Sequence, residues 1–208
     1  LPAEVIRDNA LAISGLLDRE RIPGGPSVFP YQPPGLWAEK AFDCQESYVP
    51  SEGADLYRRS LYTFWKRSVP NPMFATFDAP DREVCMVERE ITVTPLQAFV
   101  TLNEDTYVEA ARNFAERILG EGGESDRDRI DYAYKLALAR MPDEKEAGVL
   151  QDVYRDMLTT YQQDEEAAHQ LLSVGESEKA ENLNAVGWAA WTGVASVILN
   201  LDETITKE

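Results

Sequence analysis

The sequence predicts a mainly α fold: a single helical domain over residues 1–208, with a long Pro/Gly-rich arm and at most one short strand pair. Three observations lead there. At least five segments repeat apolar residues at three- and four-residue spacing. Hydroxyl, carboxylate and proline residues stand where helices start, and glycines where they stop. Only one stretch shows the two-residue alternation of a strand. With 208 residues, 44% apolar and 27% charged, the chain can bury one sizeable core.

The first element is "AEVIRDNALAISGLL", where Ile6, Ala10, Ile13 and Leu17 share one helical stripe. It ends before "IPGGPSVFPYQPPGLW", whose five prolines and three glycines rule out a helix or a central strand. An arm pinned by Phe29, Tyr31 and Trp37 is expected. Gly24-Gly25-Pro26-Ser27 has neither the preceding strand nor the closing lysine of a phosphate loop. Next comes "YRRSLYTFWKR", Tyr57 to Arg67, with four basic residues, four aromatics and no acid. Its alternation predicts a short strand; a helix is the alternative, because Tyr57, Leu61 and Phe64 also fit helical spacing.

Asp78 before Pro80 suggests a capped short helix. Thr94-Pro95 starts a clearer one, with Leu96, Phe99 and Val100 as its buried side. A second, from about Asp105 to the glycines at 120–123, turns Val108, Ala111, Ala115 and Ile118 inward and completes a helical hairpin. Ser125 and Asp128 cap a helix with Ile130, Ala133, Tyr134 and Ala137 inside. Pro142-Asp143-Glu144 opens another, in which Leu150, Val153, Tyr154, Met157, Leu158 and Tyr161 recur at helical spacing. The last, about Asn184 to Asn200, is apolar nearly all round with small residues at Gly187, Ala190 and Gly193, so it belongs at the centre.

Charge and counting exclude several functions. Twenty Lys+Arg against 37 Asp+Glu give a net charge of -17, which disfavours nucleic acid and anionic lipid as partners. The most apolar stretch, Ala185 to Leu199, is too short to span a bilayer, so no membrane insertion is expected. One histidine and two cysteines 41 positions apart leave no zinc-type CxxC pair and no CxxCH for covalent haem attachment. No metal site and no cofactor in this chain is expected. His169 lies among acids on a helix and reads as an exposed helical residue without a catalytic role.

Two clusters could carry chemistry. In "FDAPDRE", Asp78, Asp81 and Glu83 supply the paired carboxylates of glycoside hydrolysis, but catalytic pairs come from separate elements, and capping and dipole roles explain the spacing better. Calcium would suit the same residues, but no calcium-loop spacing is present. In the basic island, Arg58, Arg59, Lys66 and Arg67 could hold an anionic ligand while Tyr62 and Trp65 stack on planar groups, with Arg82 and Arg89 as further members. The competing reading is an internal ion-pair network. There, Arg58 or Arg59 would pair with an acid between Asp78 and Glu90, and the Trp65 to Arg67 end would border a groove.

The blocks "GGPSVFPYQPPGLW", "LYRRSLYTFWKRSVPNP", "FDAPDREVC", "TPLQAFVTLNE" and "VILNLDETITKE" resemble, in order and over nearly the whole chain, a planctomycete-type domain of unknown function. That domain ends large proteins carrying cytochrome-c-like modules. This chain has Thr92-Val93-Thr94-Pro95 where the family reads Thr-Asn-Thr-Pro, and Leu102-Asn103-Glu104 where it commonly reads Leu-Asn-Asp. The resemblance implies the C-terminal part of a longer multidomain protein, periplasmic or secreted, with a haem c module elsewhere in the full-length protein and a connection with polysaccharide breakdown. An oxidising compartment would permit a Cys44–Cys85 disulfide. Since Cys44 lies outside the matched blocks, two free, buried thiols are expected instead.

These readings converge on a non-catalytic ligand-binding or docking module, with other domains of the same protein, a cytochrome-c-like module or an anionic polysaccharide as partners. The alternatives are a glycan-acting hydrolase or lyase using Asp78, Asp81 or Glu83, and a structural domain packed on the haem-bearing part. The last predicts an exposed apolar patch. Whether the chain is an enzyme is left open by the sequence.

Overall fold

The computed structural model describes residues 1–20, 25–37 and 47–206. Nine α-helices lie wholly within these, and no sheet does. They are α1 (Ala3–Ser14), α2 (Pro72–Thr76), α3 (Pro95–Asn103), α4 (Asp105–Glu121), α5 (Asp126–Leu138), α6 (Glu144–Gln163), α7 (Glu165–Ser173), α8 (Ala185–Leu199) and α9 (Asp202–Ile205). The mainly α expectation holds. Cys44 and Gly24 lie outside the described residues.

Helix ends follow their side chains. α1 stops at Gly15, whose φ of 84° puts it in the left-handed region that glycine tolerates, so Leu17 falls beyond the helix. Thr94 and Gln97 form a reciprocal capping box at the start of α3. Ser125 accepts from the Asp128 N–H ahead of α5, and Asp143 and Glu146 repeat the capping box ahead of α6. Glu104 closes α3 through its N–H to the Val100 carbonyl, and its carboxylate opens α4 by accepting from the Thr106 N–H at 3.0 Å. The predicted hairpin therefore turns on one residue.

The core is the packing of α4 on α8, with α1 against α4 and α6 and α7 against α8. α4 contributes Ala110, Ala111, Phe114, Ala115 and Ile118, and α8 contributes Trp191, Val194, Ala195 and Ile198, all fully buried. Small residues let helix axes approach: a Cβ on Gly193 would stand 3.0 Å from Met157 Cγ. The four expected inward residues of α5 are buried. On α6 only Ala147 and Leu150 are buried, while Val153, Tyr154, Met157, Leu158 and Tyr161 stay half-buried at the margin of the core. His169 is exposed on α7.

Three expectations are corrected. The Tyr57–Arg67 stretch is not a strand. It coils into a 3-10 turn at Ser60–Tyr62, with single parallel bridges from Asp18 to Arg58 and from Val28 to Thr63. A side chain interrupts the pairing between the two bridges, because the Arg7 guanidinium takes the carbonyls of Leu56 at 2.6 Å and Arg58 at 3.1 Å. No helix follows Pro80: Asp78 and Arg82 have positive φ, and residues 79–94 run without regular structure. On α3 the buried side chains are Gln97 and Thr101, whereas Leu96 and Phe99 point to solvent.

Candidate functional site

The basic island is part of the framework. Arg58 is 1% exposed; its guanidinium donates to the Pro26 carbonyl and lies 4.6 Å from the Tyr62 ring centre. Arg59 meets Asp8 of α1 at 3.8 Å, and the Ser60 N–H donates to the same carboxylate at 2.7 Å. The acid that meets Arg59 is thus Asp8, and not the expected partner from Asp78 to Glu90. Burial lowers the pKa of Arg7 at the centre of this frame, and the charges of Asp8 and Glu104 offset the loss.

The other proposed ligand cations are spread apart. Lys66 caps the Trp37 ring at 4.1 Å, Arg82 caps Trp65 at 4.5 Å, and Arg89 pairs with Glu4 at 2.8 Å. Arg67 is exposed. The three carboxylates are also dispersed in role. Asp78 accepts from the Thr92 N–H and hydroxyl, Asp81 accepts from the Glu83 N–H, and Asp81 and Glu83 are exposed. None of these contacts sets two carboxyls across a cleft.

A second buried frame was not read from the sequence. Glu109 of α4, 1% exposed, accepts from the Tyr57 hydroxyl at 2.7 Å, the Tyr31 hydroxyl at 3.4 Å and the Ser177 N–H at 2.7 Å. Arg112 lies 3.6 Å from it and donates to the Ser177 carbonyl. One carboxylate thereby ties the arm, the island and the α7–α8 connection to α4. Burial and Glu109 push the Tyr57 phenol well above its ordinary range, so it stays a donor.

What remains open is apolar. Among the described residues, Val84, Met86, Val87, Ile91, Val93, Leu96, Phe99 and Leu102 are exposed within one run of 19 residues. Val87 is fully exposed, and Leu96, Phe99 and Leu102 make an outward stripe on α3 at three-residue spacing. Cys85 sits in this run as a free, exposed thiol, against the expectation that it is buried; the segment stands off the core.

Beside this stripe lies a cleft of about 230 Å³ between the arm, α2 and α3. Tyr31, Pro33, Met73, Phe99 and Val100 wall it, with Gln32, Asn103 and Glu104 as polar members. Burial raises the Glu104 carboxyl to about 7, against the pull of its bonds to Thr106 and the charge of Arg7. The resemblance marked this tripeptide, but only the fold shows that it borders a cleft.

Residues 1–154 match the family described as PSD1, protein of unknown function (DUF1553). The chain belongs to this family. The matched stretch contains both frames' arginines, the exposed run and the cleft, and ends within α6, so the central helix α8 lies beyond it. No curated protein and no solved structure matches the chain. Among the described residues no helix is long and apolar enough to cross a membrane.

Proposed function

We propose that this DUF1553 domain is a non-catalytic docking module whose 84–102 run packs against another domain of the same protein, the haem-c module implied by the family resemblance being the first candidate. The observation that carries the reading is the concentration of exposed large apolar residues in that single run. Exposed apolar surface on this scale is costly in water and marks an interaction face. Its acids Glu88 and Glu90, with Asp81 and Glu83 just ahead of it, favour a partner face with basic groups at its rim. Periplasmic or secreted placement and a link to polysaccharide processing accompany this reading through the family resemblance alone.

The exposed apolar run is also what a structural domain packed on the haem-bearing part predicts, so docking and that alternative coincide here, and the geometry disfavours the other two classes. An anionic polysaccharide site would need the island's cations together at the surface, but Arg58 is inside, Arg59 sits on Asp8 and Arg89 on Glu4. A hydrolase using Asp78, Asp81 and Glu83 would need a facing pair of carboxyls, but Asp78 holds the Thr92 N–H, Asp81 holds the Glu83 N–H and Glu83 is exposed. The test compares hydrogen–deuterium exchange of residues 84–93 in the isolated chain and in the full-length protein. Strong protection in the full-length protein is expected; equal exchange in both would overturn the docking reading.

A further inference from the structure

We propose that the cleft between the arm, α2 and α3 receives one aromatic or large aliphatic side chain from a partner polypeptide, with a neighbouring lysine or arginine of that partner held by Glu104. The inference rests on the docking reading and names the chemistry that the docked face would recognise.

Four features select this occupant. The volume, about 230 Å³, suits one large side chain and is small for an oligosaccharide. The walls formed by Tyr31, Pro33, Met73 and Phe99 are apolar, so burying a hydrocarbon or ring there is favourable. Glu104 is the charged residue on the lining, and no basic side chain joins it, so the cleft selects against an anion. Each Glu104 oxygen accepts one bond from Thr106, at 3.0 Å in both cases, which leaves acceptor capacity for a cation. Gln32 adds a buried side-chain nitrogen without a hydrogen-bond partner, a donor suited to a partner's backbone carbonyl.

The position also suits a polypeptide over a free small molecule. Phe99 belongs to both the cleft wall and the outward stripe of α3, so a chain lying along Leu96 and Leu102 passes the cleft mouth. The groups around Glu104 are Arg7 from α1, Asp105, Thr106 and Tyr107 from α4, and Tyr48 from the segment after the arm. Because burial raises Glu104 to about 7, its carboxylate fills in through neutrality. Binding of a cation there strengthens as pH rises from 6 to 8.

The test selects random hexapeptides displayed on phage against the 208-residue chain, then measures synthetic copies by fluorescence anisotropy. An aromatic or large aliphatic residue adjacent to lysine or arginine is expected in the selected set. Phe99→Ala should weaken binding at least tenfold, Glu104→Gln should remove the pH dependence, and replacing the peptide's basic residue by glutamate should abolish binding. Circular dichroism and melting of each variant confirm the fold; Phe99 is exposed, so its truncation leaves the core intact. An acidic consensus, no selected binder, or peptides indifferent to Phe99→Ala would overturn the cleft assignment. Peptides that ignore Phe99→Ala but are lost with Val87→Asp would do so while leaving the docking reading standing.

Discussion

Single residues carry much of the constraint because charged groups have been drawn inside. Arg7, Arg58, Arg112 and Glu109 are all fully buried, and each is tolerable only through the bonds that surround it. Tyr57→Phe removes one of the donors to Glu109 and should cost about 1–3 kcal/mol in urea unfolding. Gly175 makes a sharper case, because its φ is 84° and a Cβ there would fall 2.2 Å from the Glu109 carboxyl carbon. Gly175→Ala should therefore destabilise by more than about 2 kcal/mol. Gly148, in the interior of α6 with open space around its Cβ position, supplies the control: Gly148→Ala should stabilise by about 0.5–1 kcal/mol. Glu104 sets a pH signature. Its folded value of about 7 lies above the ordinary 4.5, so the folded state holds the extra proton between those limits. Stability should fall as pH rises from about 4.5 to about 7, and Glu104→Gln should flatten that slope.

At the level of elements, α3 departs furthest from its sequence pattern. Its apolar residues Leu96 and Phe99 face water, while the polar Gln97 is buried. Gln97 earns that place by hydrogen bonds: its Nε2 donates to the Thr76 carbonyl at 3.0 Å, and its Oε1 accepts from the Thr94 N–H at 3.1 Å. It joins α3 to the end of α2 as well as capping its own helix. Gln97→Ala should cost about 1–3 kcal/mol, whereas Leu96→Asp should change stability by no more than about 0.5 kcal/mol. The reverse ranking in thermal melts would show that α3 is turned the other way. The island teaches a related lesson. Its alternation suggested a strand, but its backbone meets Asp18 and Val28 only at single bridges, and Arg7 and Asp8 of α1 take the Arg58 carbonyl and the Ser60 N–H between them.

For the whole molecule, the helical periodicity of α1 and α5 and the all-round apolarity of α8 were sufficient to locate the core, because apolar surface must be covered wherever it lies on the chain. The net charge of -17 has a global consequence: like charges repel more in the compact state than in the unfolded chain. Added salt shortens the reach of that repulsion, so the melting temperature should rise between 20 and 300 mM sodium chloride. A fall would mean that attractive pairs, such as Arg140 with Glu146 and Glu203, outweigh the repulsion.

The sequence by itself determined the fold class, most helix starts and the central place of α8. Periodicity, caps and glycine stops act within a few residues of one another and need no tertiary partner. Only the tertiary structure decided the sites. Whether Arg58 serves a ligand or the frame depends on Pro26, Tyr62 and α1; whether Phe99 is core or surface depends on Gln97 having found Thr76; and Glu104 borders a cleft because the proline-rich arm passes over α3. Burial of a side chain is settled by what distant chain segments lie over it, and local pattern holds no record of that.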